Sequence, residues 1–269
     1  MKTLIRVVLH LVLMAMAVFF IFPLLFMIRT SLVPAAQYFT LPPTIGFYLE
    51  HYRNVLFHSD FMKYMLNSFL VSTFTVVIVL IIGSMAGYSL ARFNFKQKDQ
   101  FLFFALTTRM GPPVAFVLPF YIIMLNLQLI DTYYSLIIVY ILANLAFSVW
   151  MIYSFFKDIP VSIEESAQID GCSRISTFLK VTLPLSAPGL VATGIFMFIM
   201  TWNEYFYAFI LTRNMAKTFP VHMPSFFGAY SIEWGQMFAA ATIATLPVLV
   251  FGLLIRKYLV RGMTFGAIK

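Results

Sequence analysis

The 269-residue sequence contains little charge: only 10% of its residues are Asp, Glu, Lys or Arg, whereas 61% are hydrophobic. A soluble domain carries about 25% charged residues, so the composition excludes an ordinary water-soluble chain. The few charges lie in short stretches between apolar runs, which leaves no segment long enough for a separate soluble domain. We therefore expect residues 1–269 to form a single membrane domain.

Residues for metal, redox or phosphate chemistry are also scarce. The only cysteine is Cys172, and the four histidines have no metal-ligand spacing. A Gly-x-x-x-x-Gly-Lys-Ser/Thr phosphate loop is absent, so any ATP must be bound by another chain. The apolar runs contain no cluster of His, Asp and Glu for an intramembrane enzyme. We expect no catalytic residues, no metal site and no cofactor in this chain.

About six apolar runs are long enough to cross the ~30 Å hydrocarbon core as helices. They cover residues 9–28, 67–90, 101–125, 135–156, 187–211 and 237–256. The first run continues through Phe26 and Ile28, too far for a signal-peptide core, so we interpret it as an uncleaved anchor. The sequence predicts an all-α membrane protein with about six transmembrane helices.

Basic residues predict the orientation, because Lys and Arg near the ends of spans favour the cytoplasmic side. The net charge of +8 comes from residues that lie singly or in twos and threes beside apolar runs, which does not suit nucleic acid. With the N-terminus inside, most basic residues are cytoplasmic: Lys2, Arg6, Arg92, Lys96, Lys98, Lys157, Arg174, Lys180, Arg256, Lys257, Arg261 and Lys269. We expect both termini in the cytoplasm.

Polar residues interrupt two of the predicted spans. The third has Arg109 and Pro112 together in its inner half, and such a break can line a translocation path. The alternative is a kink packed inside protein, with Arg109 reaching the inner surface. The fifth has Asn203 and Glu204 about 20 Å from its start, in the outer third of the membrane. These two either contact a hydroxyl-rich solute, or Glu204 only pairs with Arg213.

The inner loop 157–184, between spans four and five, is predicted to form two short helices joined at Gly171. Ser162 and Glu165 have the spacing of a capping box for the first helix, and Ser173 suits the N-cap of the second. Gly171 supplies a left-handed stop between them. The first helix is too short to be stable alone, so it lies either on the inner membrane face or in a groove on a cytosolic partner.

A strip of small residues marks one side of the first loop helix. Ala167 and Gly171 lie one turn apart, which allows close backbone approach to a partner. Acidic side chains flank this strip: Glu164, Glu165 and Asp170.

The same loop resembles the signature of permeases from binding-protein-dependent importers. That signature has Glu-Ala-Ala, then Gly after three intervening residues, then Ile-x-Leu-Pro after nine more. The matching residues here are 165–167, Gly171 and 181–184, with Ser166 and Val181 as the two departures. Five other stretches resemble the maltose-type, sugar-importing branch in the same order along the chain: 67–68, 88–92, 109–113, 129–132 and 202–205, followed by the tail 261–269.

The resemblance implies an ATP-driven importer of a carbohydrate or polyol in a prokaryotic inner membrane, working by alternating access. The implied partners are a homologous second permease subunit, two ATPase subunits that bind ATP and Mg, an extracytoplasmic solute-binding protein and membrane lipid, with no nucleic acid. In that family the loop carries a coupling helix that docks on an ATPase subunit. The positions that match it here are Glu165, Ser166, Ala167, Asp170 and Gly171, and we expect the neighbouring Glu164 to take part in the same ATPase contact.

The family's C-terminal tail reaches between the ATPase subunits, and it corresponds to residues 257–269 here. The matching positions are Thr264, Gly266, Ala267 and Lys269. The alternative for the tail is a basic end held near anionic lipid. For the whole chain, the alternative function is an ion-coupled secondary transporter, which needs ionisable residues near the membrane midplane. Apart from Arg109 and Glu204, the predicted spans have almost none.

Overall fold

The structure is a computed structural model that describes residues 2–40, 42–228 and 232–265, without the side chains of residues 2–4, 109 and 255–265. The described residues form helices and connecting loops, with no strand beyond one isolated bridge. The α-helices are α1 (Lys2–Ser31), α2 (Glu50–Phe57), α3 (Phe61–Arg92), α4 (Lys98–Thr107), α5 (Pro113–Asn126), α6 (Tyr133–Lys157), α7 (Val161–Ile169), α8 (Arg174–Thr177), α9 (Leu183–Leu185), α10 (Ala187–Trp202), α11 (Phe206–Leu211), α12 (Phe219–His222) and α13 (Trp234–Phe265).

Four helices within the described residues are long and apolar enough to cross a membrane: Ile5–Ser31, Phe61–Arg92, Tyr133–Lys157 and Trp234–Leu254. The segments Arg174–Leu185 and Ala187–Trp202 pass the same test together, with a bend of 73° between them. Long apolar runs without internal charge thus become helices, as the sequence predicts. The predicted all-α membrane fold is confirmed, with four or five candidate spans instead of about six.

The expected third span, residues 101–125, is divided into α4 and α5. A 3-10 turn at Thr108–Met110 follows α4, and Gly111 and Pro112 are then extended, with ψ of 136° and 133°. Pro112 and Pro113 lack an amide hydrogen, and the residue before a proline is disfavoured in the helical region. The helix therefore cannot continue through them, and the break predicted from the sequence is present.

The chain divides into two compact units. The first unit comprises residues 1–63 and 222–246, and the second comprises residues 64–221 and 247–269. Two of the boundaries between the units fall inside long helices: the one at residues 63–64 lies in α3, and the one at residues 246–247 lies in α13. The single-domain organisation stays a prediction.

Within the first unit, buried polar contacts organise the chain that follows α1. The guanidinium of Arg29 donates to the carbonyl oxygens of Gln37 at 2.8 Å and Thr44 at 3.0 Å. The buried ring of His51 contacts the hydroxyl of Tyr38 at 3.1 Å. These contacts fold the long connection between α1 and α2 back on itself.

Within the second unit, α6 is the central helix. Its fully buried Leu136 and Tyr140 pack in one core with Ala208 of α11. At the other end of α6 the packing depends on glycine: Gly87 of α3 approaches the backbone of α6, and Gly189 of α10 lies against the ring of Phe155. This close packing fixes the end of α6 from which the loop 157–184 leaves.

Candidate functional site

The first loop helix, α7, begins two residues earlier than a capping box would require. Its N-cap is Pro160, whose carbonyl accepts the amide hydrogen of Ile163 at 3.2 Å. Ser162 therefore lies inside the helix, where its carbonyl accepts the hydroxyl of Ser166 at 2.9 Å. The predicted Ser162–Glu165 capping box is wrong, because proline presets the helical φ at the start and moves the N-cap back to residue 160.

The end of α7 agrees with the prediction. Gly171 has φ of +91°, its amide donates to Gln168, and the amide of Cys172 donates to Ala167, both at 3.0 Å. This pair of hydrogen bonds is a Schellman motif, which needs a left-handed residue at the position of Gly171. Ser173 then caps α8 by accepting the amide three residues on, at 3.3 Å.

Glu164 is turned into the protein and is only 2% exposed. One carboxylate oxygen accepts Nε of Arg92 at 2.9 Å, Nη2 of Arg92 at 2.8 Å and the hydroxyl of Thr182 at 2.8 Å. The other accepts the hydroxyl of Tyr88 at 3.1 Å. Arg92 also donates to the carbonyl of Ile159 at 3.1 Å. The expected position of Glu164 beside the exposed strip is therefore corrected: the side chain is an internal anchor.

The contacts of Glu164 favour its charged form. Burial raises the pKa of this carboxyl, but the hydrogen bonds from Arg92 and Thr182, with the positive charge of Arg92, outweigh burial and hold the pKa below its ordinary value. The buried carboxylate and guanidinium thus form a hydrogen-bonded ion pair.

The remaining predicted contact residues on α7 and at its end lie towards the outside. Glu165, Ser166 and Asp170 are exposed, and Ala167 is half-buried. Ile169 lies among them and is 85% exposed, which the sequence interpretation missed. A large aliphatic side chain between acidic neighbours on a short helix was the available signal. The docking role of these residues stays a prediction.

A π turn at Phe178–Thr182 separates α8 from α9. Sequence spacing predicts one apolar face for Ile175, Phe178 and Leu179, but only Phe178 is packed inward, with its ring centroid 4.7 Å from that of Tyr88. Ile175 is 74% exposed. A cavity of about 820 Å³, lined mainly by apolar side chains of α3, α7 and this segment, lies beside the Glu164 carboxylate.

Glu204 occupies the second predicted interruption and caps a new helix. After α10 ends at Trp202, the Glu204 carboxylate accepts the amides of Tyr207 at 3.0 Å and Ala208 at 3.2 Å, and the hydroxyl of Tyr140 at 2.8 Å. The carboxylate thus satisfies first-turn amides of α11 from the residue that precedes its N-cap, Tyr205. The expected span 187–211 is therefore two helices.

The alternative pairing of Glu204 with Arg213 is wrong. Nη1 of Arg213 instead donates to the carbonyl of Thr212 at 3.1 Å. Asn203 is exposed, and its side-chain amide donates to the carbonyl of Ile199 at 2.8 Å. The roles of Asn203, Glu204 and the exposed Pro112 in a translocation path stay predictions.

Several predicted residues lie outside the described part of the structure. They are the side chain of Arg109, the side chain of Thr264, and the residues Gly266, Ala267 and Lys269.

Asp131 holds the loop after α11 and was missed as a site by the sequence interpretation. Its carboxylate accepts the backbone amides of four successive residues, at 2.8 to 3.2 Å: Arg213, Asn214, Met215 and Ala216. Burial raises the pKa of this carboxyl, but the four amides outweigh burial and lower it. The only signal was its place in the matched stretch 129–132.

The family of binding-protein-dependent transport system inner membrane components matches residues 79–265, which include α7, α10 and α11. The chain belongs to this family. It is thus a membrane-spanning component of an importer system, which argues against the ion-coupled secondary transporter.

Relatives along nearly the full length are named as permeases. The trehalose/maltose transport system permease protein MalG of Thermococcus litoralis is 34% identical over 262 residues, covering 94% of this chain and 93% of that protein. The trehalose transport system permease protein SugB of Mycobacterium tuberculosis is 34% identical over 253 residues, covering 92% of each. The predicted resemblance to sugar-importer permeases is confirmed.

Solved structures support the fold. A chain of a bacterial ABC transporter involved in import of the acidic polysaccharide alginate superposes with a TM-score of 0.80 at 23% identity, covering 96% of this chain and 97% of that one.

Proposed function

We propose that this chain is one of two membrane-spanning subunits of an ATP-driven importer for a carbohydrate or polyol, which an extracytoplasmic binding protein delivers. The names of the relatives support the substrate class: trehalose/maltose, trehalose, and diacetylchitobiose for DasC of Streptomyces coelicolor. The alginate transporter, which has also been solved with an oligosaccharide-bound periplasmic protein, supports the delivery step. The permease itself needs no chemistry for this task.

The proposed ATPase partner contacts the solvent-exposed face of α7. The observation that carries this proposal is the combination of Ile169, 85% exposed, with the open left-handed turn at Gly171. Covering exposed apolar surface with a partner stabilises the complex by about 25 cal/mol per Å² of surface removed from water. A Cβ added at Gly171 would have no heavy atom within 4 Å, so a partner surface has room to approach there. Glu165 and Asp170 add negative charge at the edge of this face.

The proposed cycle uses ATP binding and hydrolysis on two partner subunits, which also hold Mg. Closure of the ATPases displaces α7 and its counterpart on a homologous second permease subunit, and the two permeases change from inward-facing to outward-facing. Such a change is a shift between two conformational populations. In this proposal both termini are cytoplasmic, the tail 257–269 contacts the ATPases, and Arg109, Pro112, Asn203 and Glu204 lie near the solute path.

Gentle extraction of the native complex tests the partners directly. We expect mass spectrometry of the purified complex to find two copies of an ATPase and one copy of a second permease for each copy of this chain. Isolation of a transport-competent oligomer without any ATPase would contradict the proposal.

A substitution at Gly171 tests the contact face. Gly171→Val places a β-branched residue at φ of +91°, which costs about 1–2 kcal/mol in backbone energy and adds bulk where the partner approaches. We expect normal membrane insertion with loss of ATPase co-purification. Gly252→Ala is the matched control, because Gly252 lies in α13 with open space at its Cβ and without a left-handed φ. Wild-type ATPase association in Gly171→Val would refute the docking role.

A further inference from the structure

The helix α7 packs against α8 and the π turn, but only one of its side chains is buried. Among its nine residues, Glu164 alone is buried; Ala167 is half-buried and the others are exposed. A helix of this length is not stable by its own hydrogen bonds, so tertiary contacts must fix its position. Glu164 is therefore the main point at which the position of α7 is set.

The partners of Glu164 come from two separate segments. Tyr88 and Arg92 lie on the last two turns of α3, and Thr182 lies in the π turn that leads to α10. Arg92 also donates to the carbonyl of Ile159, just before α7. The ion pair thus joins α3 to both sides of the loop 157–184.

Packing beneath α7 is incomplete on the side that faces α3. The cavity of about 820 Å³ is lined by Glu164, Glu165 and Gln168 of α7 and by the inner half of α3. Across this space, α7 and α3 are joined by the hydrogen bonds that the Glu164 carboxylate accepts from Arg92 and Tyr88. A displacement of α7 reaches α3 through this polar link more than through close packing.

We propose that the Arg92–Glu164 ion pair is the rigid link that carries a displacement of α7 to α3. The proposal rests on the proposed function, in which an ATPase displaces α7. Arg92 and Glu164 are positioning residues, because their charged groups are buried inside the protein. Without the link, α7 would still bind the ATPase through its exposed face. Its displacement would then change only the conformation of the rest of the loop 157–184 and would not move α3.

The first experiment measures solute imported per ATP hydrolysed by the full complex in proteoliposomes. Glu164→Gln keeps the shape of the side chain and removes its charge. We expect the ATPases to remain bound and the transport ratio to fall by about fivefold or more, the lower range of a coupling between sites. Asp99→Asn, an exposed carboxylate on α4, is the control with an unchanged ratio. A wild-type ratio in Glu164→Gln would overturn the proposal.

The second experiment needs no change in the ion pair. Exposed Ser162 of α7 and exposed Ser89 of α3 are replaced by cysteine and spin-labelled, in a chain in which Cys172→Ser removes the native thiol. The distance between the two labels is then measured in the full complex. We expect the same distance without nucleotide and with bound ATP, because the two helices move together. A distance that changes between the two states would overturn the rigid link. Purification of the wild-type chain without ATPases would instead refute the proposed function itself.

Discussion

The loop held by Asp131 allows a quantitative test of how one carboxylate orders a segment. Asp131→Asn is the informative change, because residue 131 has φ of +61°, a conformation that Asn tolerates and Ala does not. The amide side chain keeps one acceptor oxygen but loses the charge that attracts four backbone amides. The perturbation therefore acts on hydrogen bonding and leaves the turn intact.

The magnitude follows from the exposure of the four amides. Hydrogen bonds to a charged acceptor contribute about 1.5–3 kcal/mol each when buried, and about 0.5 kcal/mol where water can replace the acceptor. Residues 213–215 are exposed, and Ala216 is buried. The clamp therefore stabilises the loop by about 3 kcal/mol, and the Asn variant loses about half of this. At 1.4 kcal/mol for each factor of ten, local opening increases about tenfold.

Amide hydrogen exchange measured by mass spectrometry gives the opening directly. We expect about tenfold faster exchange at residues 213–216 in Asp131→Asn, with other peptides unchanged. Asp60→Asn, an exposed carboxyl before α3, is the control. Equal exchange in variant and wild type, or faster exchange spread over the whole chain, would refute the clamp.

The lowered pKa of Asp131 gives the clamp a pH dependence of known sign. Because the folded pKa lies below the unfolded value of about 3.9, the contribution is complete above that value and is lost as pH falls through the folded pKa. We expect protease cleavage in the loop 212–217 to rise below about pH 4 in wild type, using an acid-stable protease. The rise should be smaller in Asp131→Asn, which has no carboxyl to protonate; an identical rise would contradict the assignment.

Two further predictions concern the packing of α6. Gly189→Ala would place a Cβ against the ring of Phe155, so we expect a loss of about 1–3 kcal/mol and a lower melting temperature in detergent; an unchanged melting temperature would show that the ring moves freely. Tyr140→Phe removes the hydroxyl that donates to Glu204, and we expect a loss of about 1–2 kcal/mol in the same assay, with no loss if water replaces the hydroxyl.

Local signals in the sequence predicted much of the fold. Apolar runs of the length of a bilayer became α1, α3, α6 and α13, because in lipid the backbone N–H and C=O groups must be hydrogen-bonded within the segment, as a helix does. The stop at Gly171 was predictable because a left-handed turn favours glycine, and the break at Pro112 because proline cannot continue a helix.

Contacts between distant residues were not predictable from local signals. Glu164 and Glu165 are neighbouring carboxylates on one short helix, and which of them is buried depends on Arg92, 72 positions away. Likewise, nothing near Asp131 in the sequence indicates four amides supplied by a loop more than 80 positions later. Even the start of α7 depended on whether Pro160 or Ser162 provided the N-cap.

The π turn at Phe178–Thr182 makes the chain length of this segment as important as its composition. A π turn contains one residue more than an α-helical turn, and this wider turn sets the direction of the side chains within it. Deleting one residue between 178 and 182 would let the segment close into a regular α-helix of about 3.6 residues per turn, which keeps the direction of α9 but changes the direction of the side chains within the turn. The hydroxyl of Thr182 would then lose its position beside Glu164. Length variation among natural relatives should therefore be rarer within these five positions than in the loops that flank α4.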